Sequence, residues 1–295
     1  MQTSAFKQVD VFTARRFAGN ALAVILDAQG LDAADMQRIA AWTNLSETTF
    51  VLPPTQAGAH YRVRIFTPRE ELPFAGHPSV GTAHALLEAG RIEPQPGLTM
   101  ECAAGLLPVE VSGDGAGRRI FVRAPRARLQ TADRSTLEGA AAAIGAGFAG
   151  AHPPQFADNG PVWLVCDLGD EARVRALAPD MTALSTWSST RQATGIAAFG
   201  RAAAGSGYAL AVRCFAPFSG VPEDPVTGSA NACIGAWLHA TGQLEAIGAT
   251  YRASQGREIG RDGSVDVRVD TATGDVDIGG QSVTCIDGTL VLPIE

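Results

Sequence analysis

One long stretch of this chain is used twice. Residues 64–90 read RIFTPREELPFAGHPSVGTAHALLEAG, and residues 213–242 repeat the plan. Each copy opens with Arg-x-Phe-x-Pro (Arg64, Phe66, Pro68; Arg213, Phe215, Pro217) and passes through an acidic, Pro-containing loop. Each then reaches a Gly followed by a polar residue (Gly76-His77; Gly228-Ser229). Small and apolar residues follow, until Gly90 in one copy and Gly242 in the other. That is a strand end, a loop and a helix closed by the residue that best tolerates a left-handed terminus. The helix body SVGTAHALLEA is apolar on nearly every side. Such a helix is buried all round, and a barrel or strongly curled sheet wrapped about it achieves that.

The rest of the chain fits a duplicated α+β fold. Gln8–Phe12 and Ala21–Leu26 read as strands, with Phe17–Asn20 (FAGN) as the turn between them. Asp32–Ala41 reads as an amphipathic helix. Thr48–Leu52 and Tyr61–Phe66 are strands rich in β-formers. Residues 98–124 are strand-like and include a hairpin with a Gly-rich turn at 113–117. The pattern breaks near Arg123–Gln130, which places a boundary between lobes 1–124 and 125–284. A last strand at 285–295 is available to return to the first lobe. In the second lobe, Thr136–Ile144, Glu171–Ala178 and Ala230–Ala240 read as helices. Pro161–Asp167, Ile196–Phe199, Tyr208–Phe215 and the stretch 250–293 read as strands. Both halves run strand, helix, strand, Arg-x-Phe-x-Pro, loop, central helix, strands. The long period speaks for a duplicated domain, not a solenoid.

Charge and composition narrow the function. The net charge of −7 offers no basic surface for nucleic acid. Five scattered cysteines without a CxxC fit a reduced, cytoplasmic protein. No signal pattern opens the chain, and no apolar run reaches membrane-spanning length. No Walker A, HExxH or Cys/His cluster is present, so neither a protein-held metal nor a cofactor is expected. Gly145–Gly150 matches G-x-G-x-x-G by letter. It follows a helical run where the motif needs a strand, and the prolines at 153 and 154 forbid a helix after it.

Four polar residues stand out. His77 and Ser229 occupy equivalent helix starts, where a lone Ser is ordinarily a cap and a lone His a structural residue. Duplication favours a joint role, because helix starts carry free N–H groups and partial positive charge suited to a carboxylate. Asp224 in VPEDPVTGSAN is either a turn residue before Pro225 or a carboxylate at the mouth of the same helix. Glu47 in NLSETTFVLP leads an apolar strand. It either points to solvent or is a buried carboxylate with raised pKa, fit for acid/base work.

Four segments together are similar to the PhzF phenazine-biosynthesis family: NLSETTF (44–50), FTPREELPFAGHPSVGTAHAL (66–86), RCFAPFSGVPEDPVTGSANACIGAWL (213–238) and SQGREIGR (254–261). The resemblance spans nearly the whole chain. It implies the diaminopimelate epimerase fold, two lobes each with a curled, mostly antiparallel sheet around a central helix, and an active site between them. It implies Glu47, His77, Asp224 and Ser229 as catalytic residues. Asn20, Gly76, Thr227 and Gly228 are implied to bind substrate. Related epimerases and racemases carry two cysteines at the helix starts. Here His77 and Ser229 stand there, which disfavours a two-thiol mechanism.

The leading expectation is a cofactor-independent isomerase that moves a proton on a small carboxylate-bearing metabolite, as in dihydro-hydroxyanthranilate isomerisation. A homodimer is implied by the resemblance alone. Two alternatives stand beside it. One is a Ser-His-Asp hydrolase built from Ser229, His77 and Asp224, although TGSAN is not a G-x-S-x-G elbow. The other is a non-catalytic small-molecule-binding protein on the same scaffold.

Overall fold

The computed structural model describes residues 3–292 of the chain. The expected C-terminal strand is present as Ser282–Val291, and 293–295 lie outside the described residues. The chain divides into two compact units. One holds residues 3–123 together with 279–292, and the other holds 124–278.

In the first unit, β1 (Thr3–Val11) pairs antiparallel with β2 (Asn20–Ile25) on one side and with Ser282–Val291 on the other. Helix α1 (Ala33–Thr43) carries the chain to β3 (Glu47–Leu52), parallel to β2. β3 pairs antiparallel with β4 (Tyr61–Phe66), which also pairs with the short β5 (Glu71–Leu72). Helix α2 (Gly76–Glu88) then crosses to β6 (Gly97–Cys102), parallel to β4. The antiparallel strands β7 (Gly105–Ser112) and β8 (Arg119–Arg123) follow.

Helix α2 is buried from His77 to Leu87 and packs on β1, β2, β3, β8 and the returning strand. Strands from both ends of the sheet touch one helix, so the sheet is curled around it. The fit is close at Gly81, where a Cβ would stand 2.6 Å from the Leu22 side chain and 2.7 Å from that of Val11. On the outer face, Met36, Ile39 and Ala40 of α1 form a core with Ile25, Phe50 and Phe66. Period-2 alternation explains the two-sided burial of β3. Phe50 and Thr48 face α1, where Thr48 meets Thr43 at 2.8 Å, while Thr49 accepts from Thr82 of α2 at 2.9 Å.

The second unit repeats the pairing scheme. After β9 (Arg128–Thr131) and helix α3 (Arg134–Ile144), β10 (Gln155–Asp158) lies antiparallel between β9 and β11 (Val162–Asp170). Helices α4 (Glu171–Arg175) and α5 (Met181–Arg191) lead to β12 (Gly195–Arg201), parallel to β11. β12 pairs antiparallel with β13 (Leu210–Ala216), which also pairs with β14 (Val221–Asp224). Helix α6 (Gly228–Ala240) crosses to β15 (Thr250–Gln255), parallel to β13, and β16 (Gly263–Val269) follows antiparallel. The short helix α7 (Leu244–Ile247) lies between α6 and β15. The order antiparallel, parallel, antiparallel, parallel, antiparallel is the same in both units. An outer core of Leu164, Cys166, Leu168, Leu184, Trp187 and Ile196 packs under α3 and α5.

The sequence reading misses α5, whose Ser- and Thr-rich body STWSSTR lacks an apolar stripe; the Asp180 cap ahead of it is its one clear signal. It also starts α6 two residues late. Gly145, part of the nucleotide-like letter match, adopts φ 71° and closes α3.

Candidate active site

The first unit assembles Glu47, His77, Gly76 and Asn20. Glu47 is the first residue of β3, and by alternation it shares the α2-facing side of the strand with Thr49. The Thr49–Thr82 bond fixes the strand against the helix, and one turn nearer the helix start His77 meets Glu47. The His77 Nδ1 to Glu47 Oε2 distance is 3.2 Å. The Glu47 side chain is 17% exposed, yet its Oε2 is sealed from solvent and accepts no aligned hydrogen bond. Burial pushes the Glu47 carboxyl up to about 7, against a smaller opposing effect of a hydrogen bond from Ser46. Of the two sequence alternatives for Glu47, the buried one holds. Asn20, also buried, opens β2 and accepts from Ser46 Oγ at 3.2 Å, so the residue before Glu47 is tied to the start of the neighbouring strand.

The second unit assembles Asp224, Thr227, Gly228 and Ser229. Asp224 ends β14 and accepts from Thr227 Oγ1 at 2.7 Å. Behind them lies Gln255, fully buried at the end of β15. Its Nε2 donates to the Asp224 carbonyl and to Thr227 Oγ1, each at 2.9 Å. Its Oε1 accepts from Thr227 N and Asn231 Nδ2, each at 3.1 Å. Both donors and both lone pairs of the amide are used, so Gln255 pins the loop and the helix start together. Ser229 Oγ accepts from the Trp163 indole Nε1 at 3.1 Å, and the Ser229 carbonyl accepts from Asn159 Nδ2 at 3.0 Å.

His77 and Ser229 are not the caps themselves. The caps are Ala75 and Thr227, so both residues sit at the second helical position. Neither cap side chain bonds the helix. Helices α1, α3, α4 and α5 each begin instead on an aspartate whose side chain does (Asp32, Asp133, Asp170, Asp180). The first-turn N–H groups of α2 and α6 are therefore not committed to a capping side chain, the arrangement expected of an anion site.

Register shows how the two units diverge. Thr48 opposes Phe66 in the first unit, and Ile196 opposes Phe215 in the second. Glu47 therefore corresponds to Gly195. Leu22 lies beside Glu47, and Trp163 beside Gly195, so Leu22 corresponds to Trp163. A side chain at Gly195 is excluded, because a Cβ there would lie 1.8 Å from the Phe215 carbonyl oxygen. At this position a carboxylate exists on one side of the repeat only.

Sequence reasoning did not single out Asn159, Trp163, Asn231 or Gln255. Gln255 lies within SQGREIGR, but its role depends on contacts 24 to 31 residues away in sequence. Among the described residues, no cluster of three or more His, Cys, Asp and Glu side chains is arranged to hold a metal. The carboxylate beside His77 is Glu47, Asp224 accepts from Thr227, and Ser229 accepts from an indole.

Comparison with known proteins shows the family and the fold. The family profile described as phenazine biosynthesis-like protein, PhzC-PhzF, matches residues 9–288. The chain is 36% identical to antisense-enhancing sequence 1 of Schizosaccharomyces pombe, covering 98% of this chain and 99% of that one. It is also 36% identical to trans-2,3-dihydro-3-hydroxyanthranilate isomerase of Pseudomonas chlororaphis, covering 96% and 98%. The crystal structure of a PhzF-family protein from Bacillus anthracis superposes with a TM-score of 0.83 at 27% identity, covering 99% of this chain and all of that one. The fold is diaminopimelate epimerase-like, and the class of protein it defines with these relatives is an isomerase. More narrowly, the chain belongs to the phenazine biosynthesis-like PhzC/PhzF family.

Proposed function

We propose that this isomerase moves a proton between carbons of a small carboxylate-bearing metabolite, of the ring type named in its relatives, without a cofactor. The observation that carries the reading is Glu47: a buried carboxyl held near pH 7, beside His77, at the start of an uncapped helix. A group with that pKa gives up and takes back protons with little free-energy bias at neutral pH. Ionised Glu47 takes the proton from carbon and returns it at a second carbon. His77, Asp224 and Ser229 orient the substrate, and His77 and Asp224 stabilise developing charge. The backbone N–H groups of Gly76 and Gly228 bind carboxylate oxygens, and Asn20 and Thr227 complete the binding groups. The absence of a second-unit counterpart to Glu47 supports removal and return of the proton by one residue.

Five free cysteines, four of them buried, support a reducing, cytoplasmic setting, and among the described residues no helix is long and apolar enough to cross a membrane. The family resemblance supports a homodimer. The test is incubation with trans-2,3-dihydro-3-hydroxyanthranilate and related unsaturated carboxylates in D₂O. Deuterium should enter the product carbon with wild-type protein and not with Glu47→Gln. Wash-in that persists unchanged in Glu47→Gln removes the base from the mechanism.

A further inference from the structure

We infer that Trp163 is a positioning residue that fixes Ser229 as a hydrogen-bond donor to the substrate's carboxylate; the inference rests on the functional reading above. The starting point is the donor inventory. An indole N–H can only donate, so the 3.1 Å contact from Trp163 Nε1 must occupy a lone pair of Ser229 Oγ. The Ser229 hydroxyl hydrogen is thereby directed away from the indole, and it meets no acceptor among the described residues. Donation into Oγ also polarises the hydroxyl, making it a better donor and a poorer nucleophile.

Trp163 is placed to do this without freedom to leave. It is 3% exposed on β11. Its neighbours Leu164 and Cys166 face the outer core, so alternation turns the indole toward α6. The register adds a second, independent observation. Trp163 stands where the first unit has Leu22, and the neighbouring position that holds Glu47 in the first unit is Gly195 here. A bulky donor therefore stands in place of an aliphatic side chain on the side of the repeat that has Gly195 where the other has Glu47. Asn159, also buried, holds the same residue by its carbonyl, so Ser229 is gripped at two atoms from β11 and the turn before it. Helix geometry leaves the N–H groups of Gly228, Ser229 and Ala230 without intrahelical acceptors, since the first such bond runs from Asn231 N to the Thr227 carbonyl. With Ser229 Oγ–H locked as a donor, the start of α6 presents donors together.

A carboxylate is charged throughout the reaction, so a donor to it contributes to ground-state binding and appears in KM. The experiment is a double-mutant cycle on Trp163→Phe and Ser229→Ala, with trans-2,3-dihydro-3-hydroxyanthranilate as probe and Glu47→Gln as a separate control. Trp163→Phe keeps an aromatic ring and removes the N–H. It should raise KM about three- to tenfold, the worth of one hydrogen bond, with kcat within about twofold. In the Ser229→Ala background the same change should have no further effect. A Trp163→Phe enzyme with wild-type KM, or one whose KM rises equally in both backgrounds, overturns the inference. Wild-type kcat in Glu47→Gln overturns the assignment of the base while the Trp163–Ser229 cycle still decides this point. A wild-type protein that neither binds nor turns over the probe overturns both.

Discussion

At the scale of single residues, Glu47, the proposed base, has a cost in stability. Its carboxyl is held at about 7 against an ordinary 4.5, so the folded protein binds more protons than the unfolded chain between those values. Stability is therefore highest below pH 4.5 on this account, falls as pH rises toward 7, and is lower above it. Glu47→Gln should remove that loss. Denaturation at pH 8 should show the variant more stable than wild type by roughly 1–3 kcal/mol, with the gain shrinking toward pH 4.5. The same substitution should lower turnover by about 10²–10⁴-fold. In the wild type, kcat/KM should fall as pH drops below about 7, because only the ionised carboxylate accepts the proton. Identity and position of Glu47, His77, Asp224 and Ser229 are legible in the sequence; the burial of Glu47 is not. A Glu at a strand start can face either way, and what turns this one inward is the Thr49–Thr82 contact, made across 33 residues.

At the scale of elements, the two central helices are defined as much by what caps them as by what surrounds them. Four other helices carry aspartate caps that the sequence announces, whereas α2 and α6 begin at Gly after Ala75 and Thr227. Their apolar bodies and closing glycines are plain in the chain, and so is their burial. The device that holds the start of α6 is hidden, because Gln255 reaches it from β15. Gln255→Leu strips two acceptors and two donors from buried partners at once. It should cost about 2–4 kcal/mol in urea denaturation, each stranded buried group adding to the penalty. It should also weaken substrate binding, because Asp224 and Thr227 lose their support. A variant with wild-type stability would show that the amide network is dispensable.

At the scale of the whole molecule, duplication supplies an internal control. Arg64 grips Glu71 with two bonds of 2.7 and 2.6 Å and lies over the Phe66 ring at 5.1 Å. Arg213 grips Glu223 with two bonds of 2.8 Å and lies over Phe215 at 4.9 Å. The constellation is the same, but the Arg64 side chain is 29% exposed and that of Arg213 only 6%. Truncating Arg64 to Ala should cost within about 1 kcal/mol, whereas Arg213→Ala should cost about 3–5 kcal/mol by stranding a buried carboxylate. Equal costs in parallel denaturation series would mean that burial does not set the value of the pair. The shared constellation is what makes the duplication visible in the chain; the divergence of the half-sites, Glu47 against Gly195, emerges only when strand registers are compared.

The pairing of β1 with Ser282–Val291 also fixes an order in time. The ribosome makes β1 before, and its partner after, every strand of the second unit, so the first unit is begun earlier than the second and closed later. All strands of the second unit from β9 to β16 are available before that final strand emerges. A stalled nascent chain ending at residue 278 should keep β1 open to protease, while the full chain protects it. Glu47 and His77 lie in the unit that closes last, so catalytic competence should appear only after the C-terminal strand has been released.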